Sequence, residues 1–139
     1  MGQLQALRIL LAEDEEVSRE VAVRLLSRRG HSVAAACNGR DALEIWEANP
    51  HGFDVVVTDI SMPEMGGIEL TRAIRQREAP TDSGVPIIAM TAHAIKGFEQ
   101  RCRDAGMDGY MTKPVRKAQL LSLVGAAQRL TAGNDGDFV

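Results

Sequence analysis

Short apolar runs that alternate with longer amphipathic stretches are the feature that most constrains the fold of this chain. The apolar runs are rich in Val, Ile, Leu and Ala, and they occupy residues 7–12, 31–36, 53–58, 86–91 and 109–112. Apolar runs that are nearly continuous are typical of parallel strands covered by helices on both faces. The sequence therefore predicts a buried parallel sheet.

Helical spacing fills the intervals between these runs. Val17, Val21 and Leu25 lie four residues apart and are followed by Gly30, so they predict an apolar face on a first helix. A second helix is predicted after Asn38, which can cap it, with Asp41 in its first turn and Leu43, Ile45 and Trp46 on its apolar side. A third is predicted from Ile68, Thr71 and Ile74, and a fourth over residues 94–105, before Gly106. A fifth is predicted from Leu120, Leu123, Val124 and Ala127.

Five strand–helix units in succession predict an α/β fold, a doubly wound five-stranded parallel sheet with right-handed crossovers. The 139 residues fit one domain. We place this domain at 7–129, with an N-terminal tail at 1–6 and a flexible C-terminal tail at 130–139.

Composition excludes several classes of function. The net charge of −3 and the pI near 5.6 disfavour a domain dedicated to nucleic acid. No apolar run approaches the length of a membrane span. The two cysteines, Cys37 and Cys102, form no CxxC pair and no disulfide framework. We therefore predict a cytoplasmic domain that contacts neither nucleic acid nor membrane directly.

Polar residues follow the predicted strands at the points where the strands end. Glu13 and Asp14 follow the first strand, Asp59 the third and Lys113 the fifth, while Thr91 ends the fourth. In open α/β sheets, ligands bind beyond the carboxyl ends of the strands. We therefore expect these side chains to share one pocket.

Three carboxylates in one pocket need compensating positive charge. Two carboxylates about 4 Å apart repel by roughly 4 kcal/mol at an effective dielectric near 20. Lys113 offsets one charge, and a divalent ion would offset two more. Ligand atoms that are all oxygens favour Mg²⁺ over a transition metal.

A carboxylate beside Mg²⁺ and a lysine suits in-line phosphoryl transfer, with the carboxylate as nucleophile. Asp59, which follows a rigid apolar strand, is the candidate nucleophile. Glu13 and Asp14 are better placed as metal ligands, and Ser61 can add its backbone carbonyl. Thr91 can donate a hydrogen bond to a phosphate oxygen that is absent before transfer.

Each of these residues also has an ordinary structural interpretation. Acidic residues after strands often cap the next helix, and Thr91 or Lys113 alone would be a strand-end hydroxyl and a solvated charge. The chain has no glycine-rich phosphate loop, and Gly66 and Gly67 are interpreted as a turn. The prediction depends on the combination of residues in this order.

The residues resemble a known family, the receiver domains of two-component response regulators. Four separated segments carry the resemblance across about residues 7–129. They are Ile9-Leu10-Leu11-Ala12-Glu13-Asp14, Val55-Val56-Val57-Thr58-Asp59-Ile60-Ser61-Met62-Pro63-Glu64-Met65-Gly66-Gly67, Pro86-Ile87-Ile88-Ala89-Met90-Thr91-Ala92 and Ala105-Gly106-Met107-Asp108-Gly109-Tyr110-Met111-Thr112-Lys113-Pro114.

The resemblance implies a flavodoxin-like (βα)5 sheet with strand order 2-1-3-4-5, and Asp59 as acceptor of a phosphoryl group from a partner phosphohistidine. It implies that Glu13, Asp14, Asp59 and the Ser61 carbonyl hold Mg²⁺. Lys113 would bind the acyl phosphate and precede a cis proline.

The resemblance also implies a switch in which Thr91 and Tyr110 are coupled. We hypothesise that phosphorylation draws the Thr91 hydroxyl toward the new oxygens and changes the surface of the fourth helix, fifth strand and fifth helix. Gly66 departs from the family, where this position is frequently Asp, but the change removes no ligand.

Residues 11–20 and 87–94 look closest to receivers attached to hybrid sensor histidine kinases. The implied partner is a histidine kinase or a histidine phosphotransfer domain, and the implied oligomeric state is a monomer or weak dimer. The domain would catalyse its own phosphorylation without being a conventional enzyme. Whether it stands alone or is excised from a hybrid kinase stays open.

Three other functions are compatible with parts of the sequence. A hydrolase of the haloacid-dehalogenase type also forms an aspartyl phosphate, but it needs an acid where Ser61 stands. A degenerate receiver would keep the fold without Mg²⁺ binding. A flavodoxin-like cofactor binder would need a loop after the first strand that attracts phosphate, whereas Glu13 and Asp14 repel it.

Overall fold

Strands and helices alternate along the whole of the chain that the structure describes. A computed structural model describes residues 6–80, 84–92 and 96–131. Within these ranges the elements are β1 (Arg8–Ala12), α1 (Glu16–Arg28), β2 (Ser32–Ala36), α2 (Gly39–Ala48), β3 (Val55–Asp59), α3 (Gly67–Arg77), β4 (Ile87–Thr91), α4 (Phe98–Ala105), β5 (Gly109–Thr112) and α5 (Lys117–Thr131).

The five strands form one parallel sheet in the order β2-β1-β3-β4-β5. The predicted α/β class and strand order are therefore confirmed, and each predicted strand lies within two residues of the observed one. The order reverses between β1 and β3, which places a crevice at their carboxyl ends.

Two apolar layers cover the sheet, one on each face. One layer packs α1 and α5 on alternate strand residues and includes Leu26, Val57 and Leu120. The other packs α2, α3 and α4 on the opposite face and includes Trp46 and Ile74. Burial on both faces explains why the strand sequences are nearly continuous in apolar residues.

The side of α1 that packs on the sheet is not the one that the spacing of Val17, Val21 and Leu25 predicts. Val17 is 70% exposed and Val21 is 50% exposed, whereas Ala22 and Leu26 are buried. The apolar residues of α1 span a broad arc, and the sheet meets only one side of it. Leu25, the third member of the predicted stripe, is partly buried against the core.

The second helix begins as the sequence predicts. The Asn38 side chain accepts a hydrogen bond from the Asp41 backbone N–H at 2.7 Å, which satisfies one of the free donors of the first turn. Leu43 and Trp46 are buried behind this cap.

The fourth helix begins at Phe98, so residues 96 and 97, which the sequence-based prediction includes in it, lie before its first turn. Gly97 precedes it in the left-handed region, with φ of 87°, so the helical conformation does not continue backward through this residue. The first two residues of the predicted helix, 94 and 95, and the predicted tails at 1–5 and 132–139 lie outside the described residues. The C-terminal helix itself continues to Thr131.

Candidate functional site

Three carboxylates converge at the carboxyl edge of the sheet, on the two central strands. Glu13 and Asp14 follow β1, and Asp59 ends the neighbouring strand β3. One carboxylate oxygen of each residue lies within 4.8 Å of one of each of the others. Glu13 and Asp59 are buried, whereas Asp14 is exposed. The sequence-based prediction that these acids meet is therefore confirmed.

Lys113 joins two of these carboxylates. Its Nζ lies 2.7 Å from Asp59 Oδ2 and 2.7 Å from Glu13 Oε1. Lys113 follows β5 at the edge of the sheet, and its peptide bond to Pro114 is cis, as the family resemblance implies. The site thus holds one ammonium group against three carboxyl groups.

The pKa values of the ion-paired groups reflect burial and pairing. Burial raises the pKa of Glu13, and the hydrogen bond from Lys113 only partly opposes it. Burial lowers the pKa of Lys113, but its hydrogen bonds to Asp59 and Glu13 outweigh this and leave the pKa above the ordinary value. The ammonium is therefore held in its charged form by the two acids.

The loop after β1 is fixed through Glu13. The second carboxylate oxygen of this residue, Oε2, accepts a hydrogen bond from the Glu15 backbone N–H at 2.9 Å. The Glu13 N–H donates to the Ala36 carbonyl at 3.0 Å, and the Glu13 carbonyl accepts from Arg19 Nη1, also at 3.0 Å. Sequence reasoning missed Arg19, because its partner is a main-chain carbonyl six residues away.

The loop after β3 lies close against the backbone of Asp59. Gly67 N–H donates to the Ile60 carbonyl at 2.9 Å, and a Cβ at Gly67 would lie 2.3 Å from the Asp59 carbonyl oxygen. Ser61, whose carbonyl is a predicted ligand, lies in this loop two residues after Asp59. Gly66 and Gly67 are therefore more than a turn, because a side chain at either position would meet backbone at 2.6 Å or less.

Thr91 and Tyr110 lie on the same face of two neighbouring strands. Thr91 ends β4 opposite Thr112, and its carbonyl accepts a hydrogen bond from the Lys113 N–H at 2.7 Å. Tyr110 lies two residues earlier on β5, opposite Ala89. Its ring packs edge-to-face on Phe98 of α4, with ring centres 5.5 Å apart. Thr91 is thus bonded through its carbonyl to the backbone of Lys113, and Tyr110 lies on the same face of the sheet in contact with α4.

The donor set suits a hard divalent cation. The three acids offer oxygen atoms only, and Lys113 leaves the cluster with excess negative charge when the carboxyl groups are ionised. Mg²⁺ prefers carboxylate and carbonyl oxygens, so the residues fit this ion.

An apolar groove opens beside the acidic cluster. Val17 and Val21 of α1 line it on one side, and Pro114 and Leu120 on the other, with a volume of about 450 Å³. Glu13 and Lys113 also line this groove, so it is continuous with the site. Within the described residues, no helix is both long and apolar enough to cross a membrane.

Comparison with known proteins places these features in a family. Residues 9–125 match the family described as "Response regulator receiver domain". The chain is 34% identical to "Hybrid signal transduction histidine kinase I" of Dictyostelium discoideum over 126 residues, which cover 88% of this chain and 7% of that protein. It is 32% identical to "Histidine kinase 1" of Arabidopsis thaliana over 152 residues, covering 87% of this chain and 13% of that protein.

Solved structures agree with this assignment. The chemotaxis protein CheY4 of Vibrio cholerae superposes with a TM-score of 0.80 at 26% identity, over 88% of this chain and 99% of that one. A two-component response regulator of the LuxR family from Aurantimonas superposes with a TM-score of 0.78 at 34% identity, over 94% of this chain and 88% of that one. The chain spans only 7–13% of the two histidine kinases. It belongs to the receiver domain family of two-component response regulators.

Proposed function

We propose that this domain accepts a phosphoryl group on Asp59 from a phosphohistidine, in a Mg²⁺-dependent step of a two-component system or phosphorelay. The observation that carries the proposal is the meeting of Asp59 with Glu13, Asp14 and Lys113 at the switch point of the sheet. The donor would be a histidine kinase or a histidine phosphotransfer domain, consistent with the hybrid kinases among the relatives.

The transfer exchanges one bond to phosphorus for another. A carboxylate oxygen of Asp59 attacks the phosphorus in line, the O–P bond of an acyl phosphate forms, and the P–N bond breaks with the electron pair leaving on the imidazole nitrogen. Lys113, already on Asp59 Oδ2, neutralises negative charge at the acyl phosphate. Mg²⁺, held by Glu13, Asp14, Asp59 and the Ser61 carbonyl, would neutralise the oxygens of the phosphoryl group.

Thr91 and Tyr110 would convert this charge change into a change of surface. The new phosphoryl oxygens offer acceptors that the Thr91 hydroxyl can reach by moving toward Asp59. Tyr110 shares a face of the sheet with Thr91, and its ring contacts Phe98, so movement of Tyr110 would change the packing of α4. The surface formed by α4, β5 and α5 is therefore the proposed output of the domain.

The groove beside the site supports a protein as the donor. Val17 and Val21 are exposed apolar side chains on the rim next to Lys113, where an apolar helix face of the donor can cover them. The domain itself would act in the cytoplasm as a monomer or weak dimer, and free Cys37 and Cys102 are consistent with a reducing compartment.

Replacement of the acceptor tests this function. Asp59→Asn should abolish incorporation of alkali-labile phosphate from a small phosphodonor with Mg²⁺, because the amide is a poor nucleophile. Asp54→Asn makes the same chemical change at the opposite end of β3 and should keep incorporation. Incorporation at the wild-type level in Asp59→Asn would contradict the proposal.

A further inference from the structure

We infer that Arg19 is a positioning residue for the metal-binding loop: through the Glu13 carbonyl it sets where the Asp14 carboxylate lies. This inference rests on the proposed function, since it concerns the Mg²⁺ site of the same pocket. Arg19 lies in α1, and its Nη1 donates to the Glu13 carbonyl oxygen at 3.0 Å.

Glu13 is held by hydrogen bonds at each of its polar groups. Its N–H pairs with Ala36, and its two carboxylate oxygens pair with Lys113 and with the Glu15 N–H. Its carbonyl pairs with Arg19. The contact of Arg19 with the loop is made at the Glu13 carbonyl, so Arg19 acts on the direction of that carbonyl.

Asp14 depends on this carbonyl for its orientation. The Glu13 carbonyl and the Asp14 N–H belong to one planar peptide unit. A hydrogen bond that holds this carbonyl therefore also holds the orientation of the Asp14 backbone, from which the carboxylate extends. Asp14 itself is exposed, unlike Glu13 and Asp59, and the surrounding core does not hold its side chain in place. Release of the carbonyl would let this carboxylate move away from its two partners.

Arg19 acts from outside the acidic pocket. Its side chain lines a separate open groove with Ala36, Cys37 and Asp41, on the β2–α2 side of the loop. It is not among the residues that line the groove beside the acidic cluster, so it supports the site through the backbone. Residues that orient metal ligands in this way commonly change metal affinity by 10–100-fold when they are replaced.

A role of Arg19 through its charge and a role through its contact with the loop predict opposite effects of Arg19→Gln on Mg²⁺ affinity. Removal of a positive charge near a cation site would tighten Mg²⁺ binding, whereas loss of the carbonyl contact would weaken it. We expect the dissociation constant for Mg²⁺, measured by calorimetry, to rise about 10-fold. The phosphorylation rate should fall at limiting Mg²⁺ and recover at saturating Mg²⁺.

Two further variants separate position from charge and from stability. Arg24→Gln removes the same charge from an exposed position of α1 and should not weaken Mg²⁺ binding. Arg19→Lys keeps the charge but loses the planar guanidinium that reaches the Glu13 carbonyl, so its Mg²⁺ affinity should lie between those of Arg19→Gln and the wild type. In metal-free protein, the backbone amide resonance of Asp14 should shift in Arg19→Gln but not in Arg24→Gln.

The outcomes distinguish this inference from the proposed function. Unchanged or tighter Mg²⁺ binding in Arg19→Gln, or equal weakening in Arg24→Gln, would overturn it. If Arg19→Gln does not fold, Mg²⁺ binding by Arg19→Lys weaker than that of Arg24→Gln supports the inference, and equal binding overturns it. A wild-type domain that binds Mg²⁺ without phosphorylation of Asp59 would contradict the proposed function alone.

Discussion

Gly67 gives the sharpest test of how the loop geometry supports Asp59. In Gly67→Ala, the new Cβ would lie 2.3 Å from the Asp59 carbonyl oxygen and 3.1 Å from its carbonyl carbon. Contacts of this kind are ordinary only from 3.4 Å, so the two backbones must separate by about 1 Å. Both partners are main chain, and neither can rotate aside as a flexible side chain would.

The displacement has two measurable consequences. Overpacking of this kind costs about 1–3 kcal/mol in the free energy of unfolding. The movement also reaches the attacking carboxylate, because Asp59 carries both the contacted carbonyl and the nucleophile. A misplacement of about 1 Å at a reacting group can cost about 100-fold in rate. We therefore expect Gly67→Ala to lose both stability and phosphorylation rate.

Urea unfolding followed by the fluorescence of the single, buried Trp46 measures the first effect, and incorporation of phosphate from a small phosphodonor measures the second. Gly125→Ala is the matched control, because a Cβ at that position meets nothing within 4 Å. It should keep the rate and gain up to about 1 kcal/mol from helix propensity. A Gly67→Ala domain with stability within about 0.5 kcal/mol of wild type and an unchanged rate would refute the reasoning.

Three other substitutions probe separate parts of the fold. Arg75→Met should lower the free energy of unfolding by about 2 kcal/mol, because Arg75 forms ion pairs with Glu78 and Asp108, each at 3.0 Å, in a partly exposed network. Arg72→Met, at an exposed position of the same helix, is the control and should change this free energy little. Burial raises the pKa of Asp108, and Arg75 opposes this, so the deficit of Arg75→Met in urea titrations should grow as the pH rises through that pKa. Burial lowers the pKa of His31, whose Nδ1 accepts from the Leu7 N–H, so the stability of the wild type should fall as the pH drops below about 6.5; His31→Asn should lose this slope and His51→Asn should keep it. Val21→Ser should leave the urea midpoint nearly unchanged, since Val21 is 50% exposed, whereas Val57→Ser in the buried sheet should lower it strongly.

The strands and the acidic cluster could be predicted because local sequence determines them. A parallel strand covered on both faces must be apolar along its length, so the runs at 53–58 and 86–91 lie within two residues of β3 and β4. Once parallel strands are expected, the residues that follow them share one edge. Glu13, Asp59 and Lys113 meet for this reason.

Tertiary contacts decided the features that sequence reasoning missed. The periodicity of α1 identifies an apolar arc, but contact with the sheet selects Ala22 and Leu26 within it and leaves Val17 exposed. The start of α4 depends on the left-handed conformation of Gly97. A glycine in the sequence permits this conformation but does not show that the residue adopts it. The contact of Arg19 with a carbonyl leaves no pattern in the sequence.

The ion pairs of Lys113 predict that the acidic cluster does not need Mg²⁺ in order to fold. At the 4.8 Å limit of their separation, two carboxylate oxygens repel by about 3.5 kcal/mol at an effective dielectric of 20, and an ammonium at 2.7 Å attracts each of its two partners by about 6 kcal/mol on the same scale. Lys113 thus offsets most of the repulsion, so Mg²⁺ would add to a site that is already folded. Chelation should therefore lower the free energy of unfolding only by the mass-action contribution of Mg²⁺, which is about 2.7 kcal/mol at a concentration 100 times the dissociation constant. Unfolding of the wild type by a chelator at 25 °C would show that the fold itself needs the metal and that Lys113 does not balance the cluster.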